Sequence, residues 1–356
     1  MIASNRQSGK SALVDSFGRS IHDLRISITD RCNFRCLYCL PETEEAADFF
    51  RRSSESGPRP IKHEWKPRSN FLSYEEIARV ARVAAGLGVN KVRLTGGEPL
   101  LRRDVPRLIE QLAAISGIKD IALTTNGFSF VEHAKALQSA GLRRITFSLD
   151  SLDPDNFRRL TGREALGDVM RAIARAKELG FSPIRLNAVI IRGLNDHEIV
   201  PLARFALDQE LAIRFIEFMP LDSGRAWQKD HVVTGGEILS LLQAEFDLEP
   251  MEPEHASATA KRWRFVGGET EIGLITPVSE PFCGQCNRIR LTADGKLRTC
   301  LFSIKEHDFK TFLRQEDDDT ALAQWLCDAV LKKEKSHQIG QDQFQQSERT
   351  MSAIGG

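Results

Sequence analysis

Between residues 24 and 218, short runs rich in β-branched residues alternate with longer stretches whose apolar positions recur every three to four residues. The short runs are 24–29, 91–95, 120–125, 144–149, 184–191 and 212–218. A period of two reads as strand and a period near 3.6 as helix, so the rhythm predicts six βα units on a parallel sheet. Right-handed crossovers would close six such units into an incomplete TIM-type barrel. Ser73 followed by Glu76 is a capping-box signature and predicts a helix over 73–87.

The strands alternate where covered parallel strands should be apolar throughout. Arg25, Ser27 and Thr29 share one face, Leu24, Ile26 and Ile28 the other. Arg93 goes with Thr95, Thr146 with Ser148 and Asp150, and Arg185 with Asn187. If the apolar faces meet the helices, the polar faces line a lumen suited to a charged ligand. An open sheet with one wet face is the alternative.

Residues 42–69, with paired arginines, a Ser-Ser-Glu-Ser-Gly stretch and three prolines, read as a long mobile inserted loop. Beyond 235 the rhythm fades into a helix over 236–246 and antiparallel strands near 262–266 and 271–275. The expected organisation is a flexible segment 1–20, a barrel over 21–234, and a C-terminal region 235–356 of strands and helices covering its mouth.

A chain of 356 residues with 41% hydrophobic and 28% charged residues can bury a large core. Lys+Arg equals Asp+Glu at 49 each, so no global field draws the protein to nucleic acid or a membrane, and an anionic ligand must be held by local arginines. The polar start of the chain lacks an apolar signal region and no apolar run reaches membrane-spanning length, which predicts a cytoplasmic protein.

Six of the seven cysteines fall into two groups. Cys32, Cys36 and Cys39 form C-x3-C-x2-C directly after the first strand, a spacing that gathers three thiolates around an iron-sulfur cluster whose fourth iron has no protein ligand. Such an iron is a place for chemistry. A zinc site completed by a histidine, or unrelated buried thiols, are the competing readings. Cys283 and Cys286 are followed by Cys300, with Asp294-Gly295 between them. A two-residue turn there predicts a hairpin pairing Ala293 with Lys296 and Ile289 with Cys300, which returns Cys300 to Cys286. A second three-thiolate site results, with zinc completed by His255 or His307 as the alternative. Arg288 and Arg290 project to one face beside it and, with Arg25, Arg93 and Arg185, make a candidate polyphosphate clamp. Cys327, alone in an apolar stretch, reads as core.

Cys32, Cys36 and Cys39 with Tyr38 in the last gap, followed by Gly96-Gly97-Glu98-Pro99, resemble radical S-adenosylmethionine enzymes. TDRCNFRCLYCLP, VRLTGGEPLLRRD, TTNG, FSLDSLD, CNRIRLT, GKLRTCLF and the terminal Gly355-Gly356 together resemble the GTP 3′,8-cyclase family over residues 15–356. The resemblance implies a radical lyase of molybdenum cofactor biosynthesis. It would cleave S-adenosylmethionine reductively and abstract the ribose 3′-hydrogen of GTP, and the product would be closed onto guanine C8. It implies two 4Fe-4S clusters, on Cys32, Cys36 and Cys39 and on Cys283, Cys286 and Cys300. S-adenosylmethionine would contact Tyr38, Gly97, Ser148 and Met219; GTP would contact Arg25, Arg93, Thr124, Arg185, Arg288 and Arg290, and Ile289 through its backbone. A reductant protein, the next enzyme of the pathway (cyclic pyranopterin monophosphate synthase) and a homodimer are the implied partners, with no nucleic acid and no membrane. The double-glycine tail is expected to reach the active site. Arg185 departs from the family pattern, which commonly has lysine there, and 42–69 exceeds the usual loop length.

Overall fold

A computed structural model describes residues 12–53, 64–222, 227–341 and 343–355. The strands are β1 (Asp23–Ser27), β2 (Lys91–Thr95), β3 (Asp120–Thr125), β4 (Arg144–Ser148), β5 (Ile184–Ile190), β6 (Ala212–Glu217), β7 (Leu248–Met251), β8 (Lys261–Phe265), β9 (Glu271–Ile275), β10 (Arg288–Leu291), β11 (Lys296–Arg298) and β12 (His307–Asp308). The helices are α1 (Glu44–Ser53), α2 (Tyr74–Gly86), α3 (Val105–Ala113), α4 (Phe130–Ser139), α5 (Pro154–Thr161), α6 (Leu166–Glu178), α7 (Ile199–Asp208), α8 (Gly235–Gln243), α9 (Phe309–Gln315), α10 (Asp319–Val330) and α11 (Met351–Ile354). No helix among the described residues is long and apolar enough to cross a membrane.

All twelve strands join one mixed α/β sheet in the order β12-β11-β10-β1-β2-β3-β4-β5-β6-β9-β8-β7. From β10 to β9 the neighbours are parallel, and antiparallel strands finish both ends. Leu24, Ile26, Val92, Leu94 and Leu123 are fully buried on the apolar side, where α2 contributes Ile77, Val80, Ala81 and Ala84. Ser73 caps α2 through the expected reciprocal bonds with Glu76. The strands expected from sequence agree with those observed to within two residues at either end.

Register carries the functional content of the sheet. Arg25 pairs with Arg290 on one side and Arg93 on the other, so three neighbouring strands present an arginine row. Further along, Thr124 pairs with Thr146, and Asn187 with Arg214.

Three expectations need correction. The hairpin register is Arg290 with Arg298 and Leu291 with Leu297, one residue away from that of a two-residue turn. The loop is instead Ala293 to Gly295, with Gly295 at φ +76 in the left-handed region, the three-residue alternative for such a turn. Extended, this register places Thr299 rather than Cys300 opposite Ile289. The stretch expected as a loop after residue 42 contains α1, started by Thr43, whose hydroxyl accepts from Ala46 N–H at 3.1 Å, and by Glu44 and Glu45 in the first turn. Ala46 is buried beside Leu37, Leu160 and Phe218. Residues 54–63 of that stretch, and 1–11 of the expected flexible start, lie outside the described residues. Residues 12–20 are packed: Leu13 is in the core, Val14 bridges Ser20, and Arg19 is buried.

Candidate functional site

The loop bearing the first cysteines is held by backbone. Arg35 and Leu37 N–H donate to Thr161 and Leu160 at the end of α5, and Cys39 and Leu40 N–H both donate to Cys36 C=O. Gly97 passes directly beneath: a Cβ there would lie 2.3 Å from Arg31 O and 2.6 Å from Asp30 O, so only glycine permits this approach. Glu98 clasps the end of β3, accepting from Thr125 Oγ1 and Asn126 N, both at 2.7 Å. Asn126 in turn donates to Asn33 at 2.8 Å. The Tyr38 hydroxyl donates to Asp150 at 2.7 Å.

Burial pushes Cys32 up to about 11 and Cys39 to about 12, and Cys36 well above its ordinary value; neighbouring thiols and carboxyls reinforce this. On ligation a cationic iron group would replace these protons and offset the cost of burying three thiolates together. Among the described residues no three or more His, Cys, Asp or Glu draw together closely enough for a single metal ion. A four-iron cluster carries each thiolate on a different iron and asks for a wider triangle than one ion does. In donor type and protonation the triplet fits such a cluster, which Cys32, Cys36 and Cys39 would hold.

The second triplet hangs from β10 and β11, packed against the segment after α10. Lys333, itself buried, donates to the carbonyls of Arg288, at 3.0 Å, and Thr299. Arg19 donates to the carbonyls of Cys283 at 2.7 Å, Lys335 at 2.9 Å and Glu334 at 2.6 Å, and is itself fixed by Asp15 at 2.5 Å. Burial pushes Cys286 up, but Arg288 and Lys333 outweigh it and hold the thiol at about 6. Arg288 Nη2 contacts Cys286 Sγ at 3.3 Å. A thiol already ionised suits iron ligation equally well. His255 and His307 are not among the residues walling the cavity between the triplets.

That cavity gathers nearly every residue expected from sequence. Both triplets line it, as do Tyr38, Gly97, Ser148 and Met219, and Arg25, Arg93, Thr124, Arg288 and Arg290. Burial pushes Arg93 down to about 9, with Arg25 next to it adding to the effect. It also lowers Arg25 and, further, Arg290. Like charges crowded in a buried chamber call for an anion. Arg25 Nε and Asn187 Oδ1 are buried without a protein partner, as expected where a ligand supplies one. Arg93 donates through Nη1 to both Thr124 at 3.0 Å and Thr146 at 3.3 Å, which ties three strands together.

One expected residue is elsewhere: Arg185 turns from the cavity to Glu254 at 3.2 Å. Ile289, expected to contribute its backbone, has its side chain buried in the core on a strand paired in register with Leu24. One was missed. Arg214 lines the cavity, where burial pushes it down to about 10 with Arg185 adding to the fall. Its signal was present in β6, where Arg214 alternates with the buried Ile213 and Phe215.

The tail closes one wall. Ser352 bonds the Cys39 thiol through both its N–H and its hydroxyl, Ile354 is buried, and Gly355 C=O accepts from Arg290. A Cβ on Gly355, at φ +89, would lie 2.9 Å from both Ser27 Cβ and Thr95 Cγ2. Gly356 lies outside the described residues.

Residues 26–206 match the radical SAM superfamily and 211–339 match Molybdenum Cofactor Synthesis C. A Rhodopirellula baltica protein named GTP 3′,8-cyclase is 46% identical over 97% of this chain and 92% of its own length. The chain belongs to the GTP 3′,8-cyclase family. Another protein of that name, from Syntrophomonas wolfei, is 42% identical over 97% of the chain and all of its own length. Among solved structures, Streptococcus suis SuiB bound to S-adenosylmethionine shares the fold at a TM-score of 0.57 and 15% identity, covering 91% of this chain and 68% of its own. GTP 3′,8-cyclases and the radical SAM superfamily thus account for both halves of the chain that wall the cavity.

Proposed function

We propose that this chain cyclises GTP at the cavity between its two cysteine triplets, with S-adenosylmethionine as the radical source. The observation that carries the reading is the single chamber faced at once by both triplets and by Arg25, Arg93, Arg214, Arg288 and Arg290. When bound, a 4Fe-4S cluster and S-adenosylmethionine would supply the radical that removes the ribose 3′-hydrogen of GTP, the sugar carbon then bonding guanine C8 and the base taking up one electron and one proton. Cys32, Cys36 and Cys39 would hold that cluster, and Cys283, Cys286 and Cys300 a second beside the base.

The chain's own work is binding, orientation and exclusion of water. Guanidinium forks on β1, β2, β6 and β10 neutralise the triphosphate bidentately. Gly97 leaves its backbone open to the methionine end of S-adenosylmethionine, while Tyr38, Ser148 and Met219 face its remainder. Ile354 and Gly355 exclude water on the side of β1 and β2. Residues 21–234 form the partial barrel and 235–356 the extension that carries the second triplet, a division supported by the parallel run β1 to β6 and its mixed flanks. Reductive cleavage consumes one electron, and the radical left on the base after C3′ bonds C8 takes a second electron and a proton; the chain supplies neither electron, so an external reductant is required.

Anaerobic incubation with reductant, S-adenosylmethionine and GTP should yield 5′-deoxyadenosine and a cyclised nucleotide in step. Abundant 5′-deoxyadenosine with all nucleotide unchanged would redirect the reading to a peptide-modifying radical enzyme, and stoichiometric zinc without iron or sulfide would end it.

A further inference from the structure

On β4, β5 and β6 the cavity face continues toward the strand starts beyond the residues that wall the chamber. Thr146, Ser148, Asn187 and Arg214 are walls; Arg144 shares the face of Thr146, and Arg185 that of Asn187. Burial lowers Arg185 and Arg214; the charge of Arg144 adds to the fall at both, and that of Arg185 to the fall at Arg214. Arg144 is answered by Asp120 from the neighbouring strand. Arg185 is answered by Glu254, from the segment between β7 and β8, through one oxygen at 3.2 Å.

The two partners differ in burial. The Arg185 side chain is 7% exposed and its Nε has no protein partner, whereas Glu254 is 39% exposed. The same Glu254 oxygen also takes Arg262 Nη1 at 3.2 Å, and Arg262 is tied to Glu271 at 2.8 Å and to Glu252 C=O at 2.9 Å. Glu254 is therefore tethered at the edge and reaches inward to a buried cation with a donor to spare. Burial pushes Glu254 up, but Arg185, Arg262, Arg214 and Arg144 outweigh it and keep the carboxyl below its ordinary range. An anion arriving along the chamber meets Arg214 first and Arg185 next. To engage Arg185 it must share the guanidinium with a carboxylate or displace it.

We propose that Glu254 is a specificity-determining counter-anion at the floor of the phosphate site. It occupies Arg185 until the outermost phosphate of a nucleotide displaces it, and so holds down the affinity for long phosphate chains. The inference rests on the GTP reading above. It also gives arginine at 185 a use: its planar fork can exchange a carboxylate for a phosphate in the same two-donor geometry, which a point charge does less well.

The test is anaerobic calorimetry of the full chain with GTP and with GMP, without S-adenosylmethionine so that nothing turns over. Glu254→Gln should tighten GTP by about three- to tenfold, the range for one partly exposed charge pair. GMP should stay within about twofold of wild type, since on this proposal only the outermost phosphate of a longer chain reaches Arg185. In an Arg185→Met background the same change should have no effect on GTP. Wild type binding GTP while Glu254→Gln binds it equally well, or Glu254→Gln tightening GMP as much as GTP, would overturn the proposal alone. Wild type binding neither nucleotide would overturn the site reading together with it.

Discussion

Around Cys32, Cys36 and Cys39 burial, with Glu98, Asp150 and Asp222 against the cation Arg35, makes the thiols resist ionisation. Around Cys286 the neighbouring charges are Arg288 and Lys333, and the thiol ionises easily. Cys286 has thus been given surroundings opposite to those of the first triplet, while its partner Cys300 is pushed up by burial as the first three are. An acidic, buried nest favours an incoming group of net positive charge, as iron and a sulfonium cofactor are. A basic nest tolerates a polyanion alongside. The contrast teaches that the division of labour between two sites of the same ligand type is written in the charges around them.

The largest effect that would break this contrast is at the first nest. Cys36→Ala should abolish 5′-deoxyadenosine formation, followed by chromatography after anaerobic incubation; cleavage at the wild-type rate would remove the first triplet from the chemistry. Arg290→Ala, which strips a buried charge from the basic side, should weaken GTP binding by about thirtyfold or more, on the order of 2–5 kcal/mol. S-adenosylmethionine cleavage should persist, so calorimetry and product analysis together separate the nests. Removing Gly355 and Gly356 should lower GTP turnover roughly tenfold through misplacement of reacting groups, with iron content unchanged by metal analysis. Arg19→Ala leaves the carbonyls of Cys283, Glu334 and Lys335 unanswered and should cost about 3 kcal/mol in denaturant unfolding. The smallest effect sharpens the contrast directly. In cluster-free protein the thiolate is the form that alkylates, so Cys286 should react with a midpoint near pH 6, while Cys32 and Cys39 stay protonated and slow at neutral pH. Lys333→Met should move the Cys286 midpoint upward; equal rates at all three cysteines would erase the contrast.

Much of this was legible in the chain. The polar alternation of the strands announced a wet lumen, and Arg25, Arg93, Ser148 and Asn187 do face a cavity. What alternation cannot report is where a long side chain turns once it has chosen a face. Arg185 and Arg214 lie on the same side of adjacent strands, yet one reaches Glu254 and the other the cavity, and the segment that decides this is some forty residues beyond the nearer. The hairpin illustrates a second gap: Asp294-Gly295 marks a turn, but whether the loop has two or three residues depends on packing, here Lys66 and Arg349 both pairing with Asp294. The helix after Thr43 was hidden by the polar, proline-bearing stretch that follows it, although its cap and acidic first turn were present.

The pairing of β1 with β10 has a consequence for how the protein is made. Asp23 and Arg288 are register partners across most of the chain. Contacts so distant in sequence form slowly, because a long loop must close before they repay its entropy. Until residues 288–291 have been synthesised, the strand just ahead of the first cysteine loop has one open edge, a template for pairing with the wrong chain. Cells producing this protein faster than its later half can dock should accumulate aggregates seeded at β1, and slowing synthesis should recover soluble chain.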